Sequence, residues 1–201
     1  MRLHRSRLTT ICALATLGFT LPFSSPLLAQ ETVLELDPAQ THVQFTLDAT
    51  MHTVHGTFKL KRGTVRFDPR TGKAGGLVVV DVTSGDTGNG SRDHKMHKEI
   101  LQSTEYPEAT FVPAQIKGSV NPQGDSQVAI QGVFNLHGSD HQINLNFNVR
   151  RKGDQLAAST HLVIPYQQWG LKNPNTLFLR VSDRVDMDIQ AAGRLSAAPR
   201  H

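Results

Sequence analysis

The sequence predicts an all-β protein, and three observations lead to this fold class. Apolar and polar residues alternate with a period of two in several stretches, most regularly between Ile143 and Val149, where every second residue is asparagine. Short turns rich in Gly, Asn, Asp and Pro separate these stretches. Only the sequence from Thr87 to Phe111 departs from the pattern. Strands with their apolar residues on one face are typical of an antiparallel sheet.

The predicted strands follow one another at hairpin distance. Alternation recurs at Val43–Leu47, Val128–Leu136, Leu177–Val181 and Val185–Ile189. Turn signals occur at Lys61-Arg62-Gly63, Asp68–Gly72, Asn121–Gly124 and Lys152-Gly153-Asp154. This gives about eight to ten strands in up-and-down order, which fits a sandwich or a closed barrel, and the short hairpins favour the barrel. A barrel of about eight strands is either filled by side chains or holds one small ligand, and alternation does not distinguish the two.

The exceptional stretch predicts one short helical segment near residues 91–102. Ser91 is its expected N-cap and Asp93 lies in the expected first turn, while Tyr106-Pro107 returns the chain to a strand. A single helical interruption in an all-β chain is interpreted as a cover over one end of the barrel. The candidate residues at this mouth are Arg92, Asp93, Met96 and Ile100.

Residues 1–29 are predicted to be a signal peptide. A start containing three arginines precedes an apolar run from Leu8 to Phe19, and Ala29 provides a small residue for cleavage. The run is shorter than the roughly 20 residues that span a bilayer. We therefore expect a periplasmic or secreted protein without stable membrane insertion after cleavage. Residues 30–201, without any linker or repeat, are predicted to form one domain.

Removal of this segment changes the composition. It takes away the only cysteine, Cys12, together with three of the 21 basic residues and none of the 17 acidic ones. The remaining chain is nearly neutral and has no basic run, which disfavours nucleic acid as a partner. It also has no thiol for a disulfide, a nucleophile or a cysteine-type zinc site.

Histidines provide the main alternative to a simple barrel. Spaced pairs occur at His52/His55, His94/His97 and His137/His141. On a helix, His94 and His97 would share a face, and a histidine-dependent metal-binding barrel is therefore the alternative hypothesis, although zinc sites generally use three or four ligands. No enzyme is predicted, because there is no Gly-x-Ser-x-Gly motif and the adjacent Ser139-Asp140-His141 cannot form a triad on a strand.

A set of short motifs in a fixed order resembles a known family. The motifs are Leu36-Asp37-Pro38, Thr41-His42, Gly56-Thr57-Phe58, Gly63–Asp68, Thr87-Gly88-Asn89, Arg92-Asp93 and Tyr106–Phe111. From about residue 34 to residue 193, the chain resembles the YceI family of polyisoprenoid-binding, lipocalin-like periplasmic proteins. The resemblance implies an extended eight-stranded antiparallel barrel, a helical segment near its mouth and a long apolar cavity.

The resemblance also implies a ligand and no required cofactor. The expected ligand is an amphiphile, such as an isoprenoid quinone, a polyprenol-like chain or a fatty-acid derivative, and a homodimer is possible. Candidates for the apolar wall are Phe45, Phe58, Phe67, Phe111, Phe134, Phe147 and Trp169. The alternative for each phenylalanine is ordinary core packing. The alternative for Trp169 is that it seals one end of the barrel. At the positions of residues 94–99 the family often has aromatic and aliphatic residues, whereas the stretch in this chain is more polar and basic.

Overall fold

A computed structural model describes residues 31–50, 52–175 and 180–198 of the chain. The predicted signal peptide lies outside these residues. Of the predicted strand Leu177–Val181, Leu177 and Leu179 also lie outside them, and Val181 forms an isolated bridge with Ala49. The strands are β1 (Thr32–Leu36), β2 (His42–Asp48), β3 (Thr53–Phe67), β4 (Ala74–Asp86), β5 (Glu108–Lys117), β6 (Gln123–Leu136), β7 (Ser139–Lys152), β8 (Gln155–Ile164) and β9 (Val185–Ala197).

These strands close into an antiparallel barrel with eight strand positions. Neighbours along the chain pair from β2 to β9, and β9 pairs back to β2 to complete the circle. The short strand β1 pairs with β3 and β9, the same two neighbours as β2. Strands β1 and β2 therefore share one position, interrupted at residues 37–41. The predicted eight-stranded barrel is confirmed, and its closure leaves no long exposed edge.

One predicted turn is wrong. The residues Lys61-Arg62-Gly63 lie inside the 15-residue strand β3, where the pairing register with β4 shifts between Leu60 and Arg62. A shift of this kind accommodates an irregularity without ending the strand. A Cβ atom on Gly63 would lie 2.6 Å from Cδ1 of Leu36, so a larger residue there would displace that side chain. The other three turn signals do separate consecutive strands.

The connection from β4 to β5, residues 87–107, contains the helical residues and is called the cover segment below. An α-helix, α1 (Gly90–Lys95), continues into a π-helical turn (Met96–Ile100). The N-cap is Asn89 and not Ser91: Asn89 is extended, and its Oδ1 accepts a hydrogen bond from the backbone N–H of Arg92 at 3.1 Å. Asp93 lies in the first turn, as predicted. No helix in the described ranges is long and apolar enough to cross a membrane.

The barrel has two different ends. At the hairpin end, short turns at residues 68–73, 118–122 and 153–154 join the strands. At the cover end, the β4–β5 and β8–β9 connections are long, and they comprise the cover segment and residues 165–184. Buried apolar residues form one cluster toward each end, around Phe45 and Tyr166 at the cover end and around Val128 and Leu156 at the hairpin end.

Candidate functional site

The interior of the barrel contains a continuous cavity of about 550 Å³. Inward-facing residues of all nine strands line it, and nearly all of them are aliphatic or aromatic. The barrel is therefore not filled by its own side chains, which the alternation in the sequence could not establish. The volume lies within the range of about 300–1,000 Å³ that is typical of small-molecule sites.

All six phenylalanines predicted for the apolar wall line this cavity. They are distributed over five strands, namely Phe45 on β2, Phe58 and Phe67 on β3, Phe111 on β5, Phe134 on β6 and Phe147 on β7. The rings of Phe45 and Phe58 form one tilted pair, with centroids 5.2 Å apart. A role in ligand contact stays a prediction for each of them.

Two glycines make room for these rings. A Cβ atom on Gly56 would lie 2.3 Å from Cζ of Phe45, its cross-strand partner. A Cβ atom on Gly132 would lie 2.7 Å from Cζ of Phe111 and 2.4 Å from the carbonyl oxygen of Val112. These distances are far below ordinary contact, so any larger residue would displace a wall ring or a backbone segment.

Trp169 does not line the cavity. It lies in the β8–β9 connection and stacks on His141, with centroids 3.8 Å apart and an interplanar angle of 8°. Its ring centroid is also 6.0 Å from that of Phe134, which does line the cavity. Trp169 thus packs behind the wall at the cover end, and its placement in the apolar wall needs correction.

The cover segment contributes side chains to the cavity wall, whose surface is almost entirely apolar. Of the four candidate mouth residues, Arg92, Met96 and Ile100 line it, and so does Lys95. The fourth, Asp93, has a different position: its Oδ1 accepts hydrogen bonds from the backbone N–H and the hydroxyl of Thr87. Asp93 therefore ties the helix to Thr87, the residue that follows β4, and does not line the cavity.

The pKa of Asp93 reflects this position. Burial raises the pKa, but the hydrogen bonds from Thr87, followed by the charges of Arg92 and His97, outweigh it and hold the pKa below its ordinary value. The carboxylate is consequently ionised at neutral pH. It keeps the connection between β4 and the helix in place.

His97 also anchors the cover segment. Its Nε2 lies 2.8 Å from the carbonyl oxygen of Gly85 on β4, and its Nδ1 lies 3.0 Å from the hydroxyl oxygen of Ser103. Both ring nitrogens are thus engaged, while the side chain of His94 is exposed. A metal ion at this pair would have to displace one of the His97 hydrogen bonds. Within the described ranges, no group of three or more His, Cys, Asp or Glu side chains is placed to hold a metal ion.

A second anchor joins the end of the cover segment to the β6–β7 hairpin. The φ angle is 54° at His137 and 74° at Gly138, and a two-residue type I′ turn requires positive values at both positions. Nε2 of His137 lies 2.7 Å from Oε1 of Gln102, and its ring packs against Tyr106 with centroids 4.1 Å apart. Sequence reasoning missed these partners; the only signal was the Leu136-His137-Gly138 motif of the hairpin.

The hydroxyl groups of the residues that line the cavity are already satisfied by the protein. The hydroxyl of Tyr166 donates to the carbonyl oxygen of Ser182, and burial, reinforced by Asp183, raises the pKa of Tyr166 to about 12. The hydroxyl of Thr41 bonds to the backbone of Ala192. Tyr166 therefore stays protonated and bound at physiological pH, and neither group is left for a ligand.

Comparison with known proteins agrees with this architecture. The YceI-like domain model matches residues 34–192, which is most of the chain. The chain belongs to the YceI-like family. Its similarity to a UPF0312 protein of Pseudomonas savastanoi is 28% identity over 92% of this chain and 96% of the relative. A shorter match to Protein YceI of Shigella flexneri is 33% identical over 50% of this chain and 51% of the relative.

Solved structures show the same fold. The BcnA protein of Burkholderia cenocepacia superposes with a TM-score of 0.64 at 19% identity, covering 78% of this chain and 98% of BcnA. A polyisoprenoid-binding domain from Saccharophagus degradans, implicated in plant cell wall breakdown, gives a TM-score of 0.62 at 17% identity, covering 81% and 98% of the two chains. At these identities, the likeness concerns the fold alone.

Proposed function

We propose that this protein binds a long apolar amphiphile, with the tail inside the barrel and the head group at the cover end. The observation that carries the proposal is the continuous apolar cavity of about 550 Å³. An unfilled interior forfeits packing contacts, and a bound apolar chain would restore them. The role is that of a carrier or a store, and no catalytic step is assigned to it.

The tail should provide most of the binding free energy. Each methylene transferred from water into the cavity contributes about 0.8 kcal/mol. A neutral hydrogen bond to the head group has a net value of only about 1 kcal/mol. Affinity should therefore depend mainly on tail length, and the head group should determine the orientation of the ligand.

The polyisoprenoid-binding domain of Saccharophagus degradans, which shares this fold, supports an isoprenoid chain as one ligand class. Quinones, polyprenol-like chains and fatty-acid derivatives all carry the apolar chain that a cavity with this lining would accept. The predicted signal peptide supports a periplasmic or secreted location, where such a ligand would have to be shielded from water. A homodimer stays a prediction.

The direct test is to identify what copurifies with the protein. Protein isolated from its native host would be extracted with organic solvent, and the extract would be examined by mass spectrometry. We expect an amphiphile with a long hydrocarbon chain in near-stoichiometric amount. Protein that contains no extractable lipid, and that binds none after incubation with membrane extract, would contradict the proposal.

A matched pair of variants on β7 separates cavity binding from surface binding. Phe147→Asp places a carboxylate in the cavity wall, whereas Asn148→Asp places it on the exposed outer face of the same strand. We expect Phe147→Asp to lose most of the copurifying lipid and Asn148→Asp to keep it. Since a buried charge also destabilises the fold, Phe147→Ser provides a milder variant, and circular dichroism would verify folding.

A further inference from the structure

The backbone pairing between β7 and β8 covers only the part of these strands that is nearer the hairpin end. It stops at Asn148 and Ser159. Both strands continue from there toward the cover end, where β7 stays paired with β6 and β8 stays paired with β9. Residues 139–147 of β7 and 160–164 of β8 are therefore neighbours that share no backbone ladder. This junction is called the β7–β8 seam below.

The seam distinguishes β7 and β8 from the other neighbouring strands. Pairing of β8 with β9 extends to Ile164 and Val185, and β2 is paired with β3 and β9 at the same end of the barrel. Pairing of β4 with β5 is also interrupted, but at the hairpin end, where a bridge between Lys73 and Gln115 closes the interruption. Within the described ranges, β7 and β8 are thus the only neighbouring strands that both reach the cover end without pairing there.

Side chains close the seam in place of the backbone. The hydroxyl of Thr160 on β8 donates to the carbonyl oxygen of Asn146 on β7 at 2.8 Å. Nearer the end of the barrel, Trp169 extends from the connection that follows β8 and stacks on His141 of β7, with ring centroids 3.8 Å apart. Among the described residues, closure of the seam therefore depends on one side-chain hydrogen bond, one ring stack and apolar packing.

The ring stack is an imperfect closure. Nε2 of His141 is buried, and no described group is its hydrogen-bond partner. A buried polar atom without a partner is destabilising, because it gives up the hydrogen bonds that it would make to water. When Trp169 moves away, Nε2 is exposed and regains them. Opening of the seam should therefore cost less than separation of two fully paired strands.

The cavity lies directly behind the seam. Leu145 on β7 and Leu162 on β8 face each other's strands at the seam, and both line the cavity. On the outer face of β8, Val163 is 45% exposed, and Val112 is the one other large apolar side chain in the described ranges with comparable exposure. Separation of β7 and β8 would therefore connect the cavity with the outside along apolar side chains.

We propose that the β7–β8 seam is a side entrance to the cavity, held closed by the stack of Trp169 on His141. The inference rests on the proposed function and adds the route by which a long apolar chain enters and leaves. A chain that passes between the two strands stays in contact with apolar surface along its length. Passage through the cover segment would instead require the hydrogen bonds of Asp93 and His97 to break.

A cross-link across the seam tests this route. Asn144 and Val163 are exposed, and the register of β7 and β8, continued beyond Asn148 and Ser159, places them opposite each other. Asn144→Cys with Val163→Cys would be joined by a short bis-maleimide, and the chain after the predicted signal peptide has no other cysteine to react. The control is Gln131→Cys with Asn144→Cys, which links directly paired residues of β6 and β7.

The rate of ligand release is the measurement. Each protein would be loaded with cis-parinaric acid, a fluorescent long-chain fatty acid, before cross-linking, and transfer of this probe to phosphatidylcholine vesicles would be followed. We expect the link across the seam to slow transfer by about tenfold or more, because the probe must then leave by a route with a higher barrier. The link between β6 and β7 should leave the rate unchanged.

Thr160→Val tests the hydrogen bond that closes the seam. The variant keeps the shape of the side chain and removes its donor, so we expect transfer to accelerate about fivefold, the factor that corresponds to one hydrogen bond of about 1 kcal/mol. Trp169 is the only tryptophan of the chain, and acrylamide should quench its fluorescence more strongly in this variant. The control is Thr46→Val, which removes a hydroxyl that contacts His55 across the paired strands β2 and β3 and should not change the rate.

The outcomes separate this inference from the proposed function. An unchanged transfer rate in the seam-linked protein would overturn the side entrance and leave lipid binding intact. Equal slowing by the two links would also overturn it, since general stiffening of the sheet would then explain the effect, and so would an unchanged rate in Thr160→Val. If the protein without links bound no cis-parinaric acid and no lipid copurified with it, the proposed function and the side entrance would both be rejected.

Discussion

The two ends of the barrel are built from different connections and, in the proposed function, meet different parts of a ligand. At the hairpin end, the connections are short turns, and the residues that line the cavity there, such as Phe147 and Leu156, are apolar. At the cover end, two long connections bring side chains such as those of Met96 and Tyr166 to the same cavity, together with a network of hydrogen bonds. In the proposed function, the hairpin end receives the tail and the cover end encloses the head group.

The difference also concerns how the two ends are held together. The hairpin end depends on strand pairing and on apolar packing around Val128 and Val149, with exposed ion pairs such as Arg150–Asp125 on its outer face. The cover end depends on specific partly buried hydrogen bonds, among them those of Asp93 and His97. Exposed ion pairs contribute little to stability, whereas the loss of a buried hydrogen-bond partner is costly. Changes at the two ends should therefore have different consequences.

The largest expected effect comes from shortening the cavity at the hairpin end. Ala158 lines the cavity on β8, and Ala158→Phe would fill part of the space for the tail. Each excluded methylene costs about 0.8 kcal/mol, so exclusion of three would weaken a long-chain ligand by roughly 50-fold. Shorter chains should be affected much less. Titration of fatty acids of increasing length into the delipidated variant would measure this.

The neighbouring residue provides the control. Ala157 is exposed on the outer face of β8 and does not line the cavity, so Ala157→Phe adds the same side chain outside the barrel. It should bind all chain lengths like the original protein. A uniform loss of affinity in Ala158→Phe, independent of chain length, would show that the hairpin end does not receive the tail.

Much of the hairpin end could be predicted from the sequence. Alternation places every second residue of a strand on one face, so the inward residues of β7 from Ile143 to Val149 follow directly from the pattern. All six phenylalanines expected in the wall lie inside the barrel, and three of them, Phe45, Phe134 and Phe147, belong to alternating stretches of the sequence. Alternation could not establish that the interior is hollow, because a packed core and an apolar cavity require the same pattern. Nor did it detect that Lys61-Arg62-Gly63 lies within a strand, because local turn propensity was outweighed by pairing with β4.

The cover end was less predictable, because its contacts join residues that are distant in sequence. The helical segment and the position of Asp93 followed from local signals. The partners of His97 on Gly85 and Ser103, and that of His137 on Gln102, depend on how the segment packs on the barrel. Trp169 is a similar case: its stacking on His141 joins the β8–β9 connection to strand β7 and has no local signature. Of the histidines that suggested metal binding, His97 and His137 hold the cover segment in place.

A second prediction compares two glycines of β4, one at each end. A Cβ atom on Gly85, beneath the cover segment, would lie 2.6 Å from Cε1 of Phe58 and 2.9 Å from Cε of Met96, while one on Gly75 at the hairpin end would meet no atom within 4 Å. We expect Gly85→Ala to destabilise the protein by about 1–3 kcal/mol through overpacking. Gly75→Ala should be neutral or stabilising by up to about 1 kcal/mol. Urea unfolding of the two variants measures both values.

The Gly85→Ala variant should also release a bound dye faster, because displaced Met96 and His97 side chains loosen the cover segment. Gly75→Ala should release it at the original rate. Equal stability and equal release rates in the two variants would show that the cover segment does not pack tightly on β4.

The smallest expected effect is the pH dependence of the Asp93 contact. Because the folded state holds the pKa of Asp93 below its ordinary value of 3.8, this carboxylate stabilises the fold fully above that value and loses its contribution as the pH falls through the lowered pKa.

Asp93→Asn retains an oxygen that accepts from Thr87 but removes the charge, so it should cost at most about 1 kcal/mol at pH 7. The difference in unfolding free energy between the original protein and Asp93→Asn should be constant from pH 7 to about pH 5 and should shrink toward pH 3. Urea unfolding at these pH values measures that difference. Both proteins contain the other carboxylates, so the contributions of those groups to the pH dependence cancel. A difference that stays the same at pH 3 would mean that the charge of Asp93 does not fasten the cover segment, and that the hydrogen-bond geometry alone does.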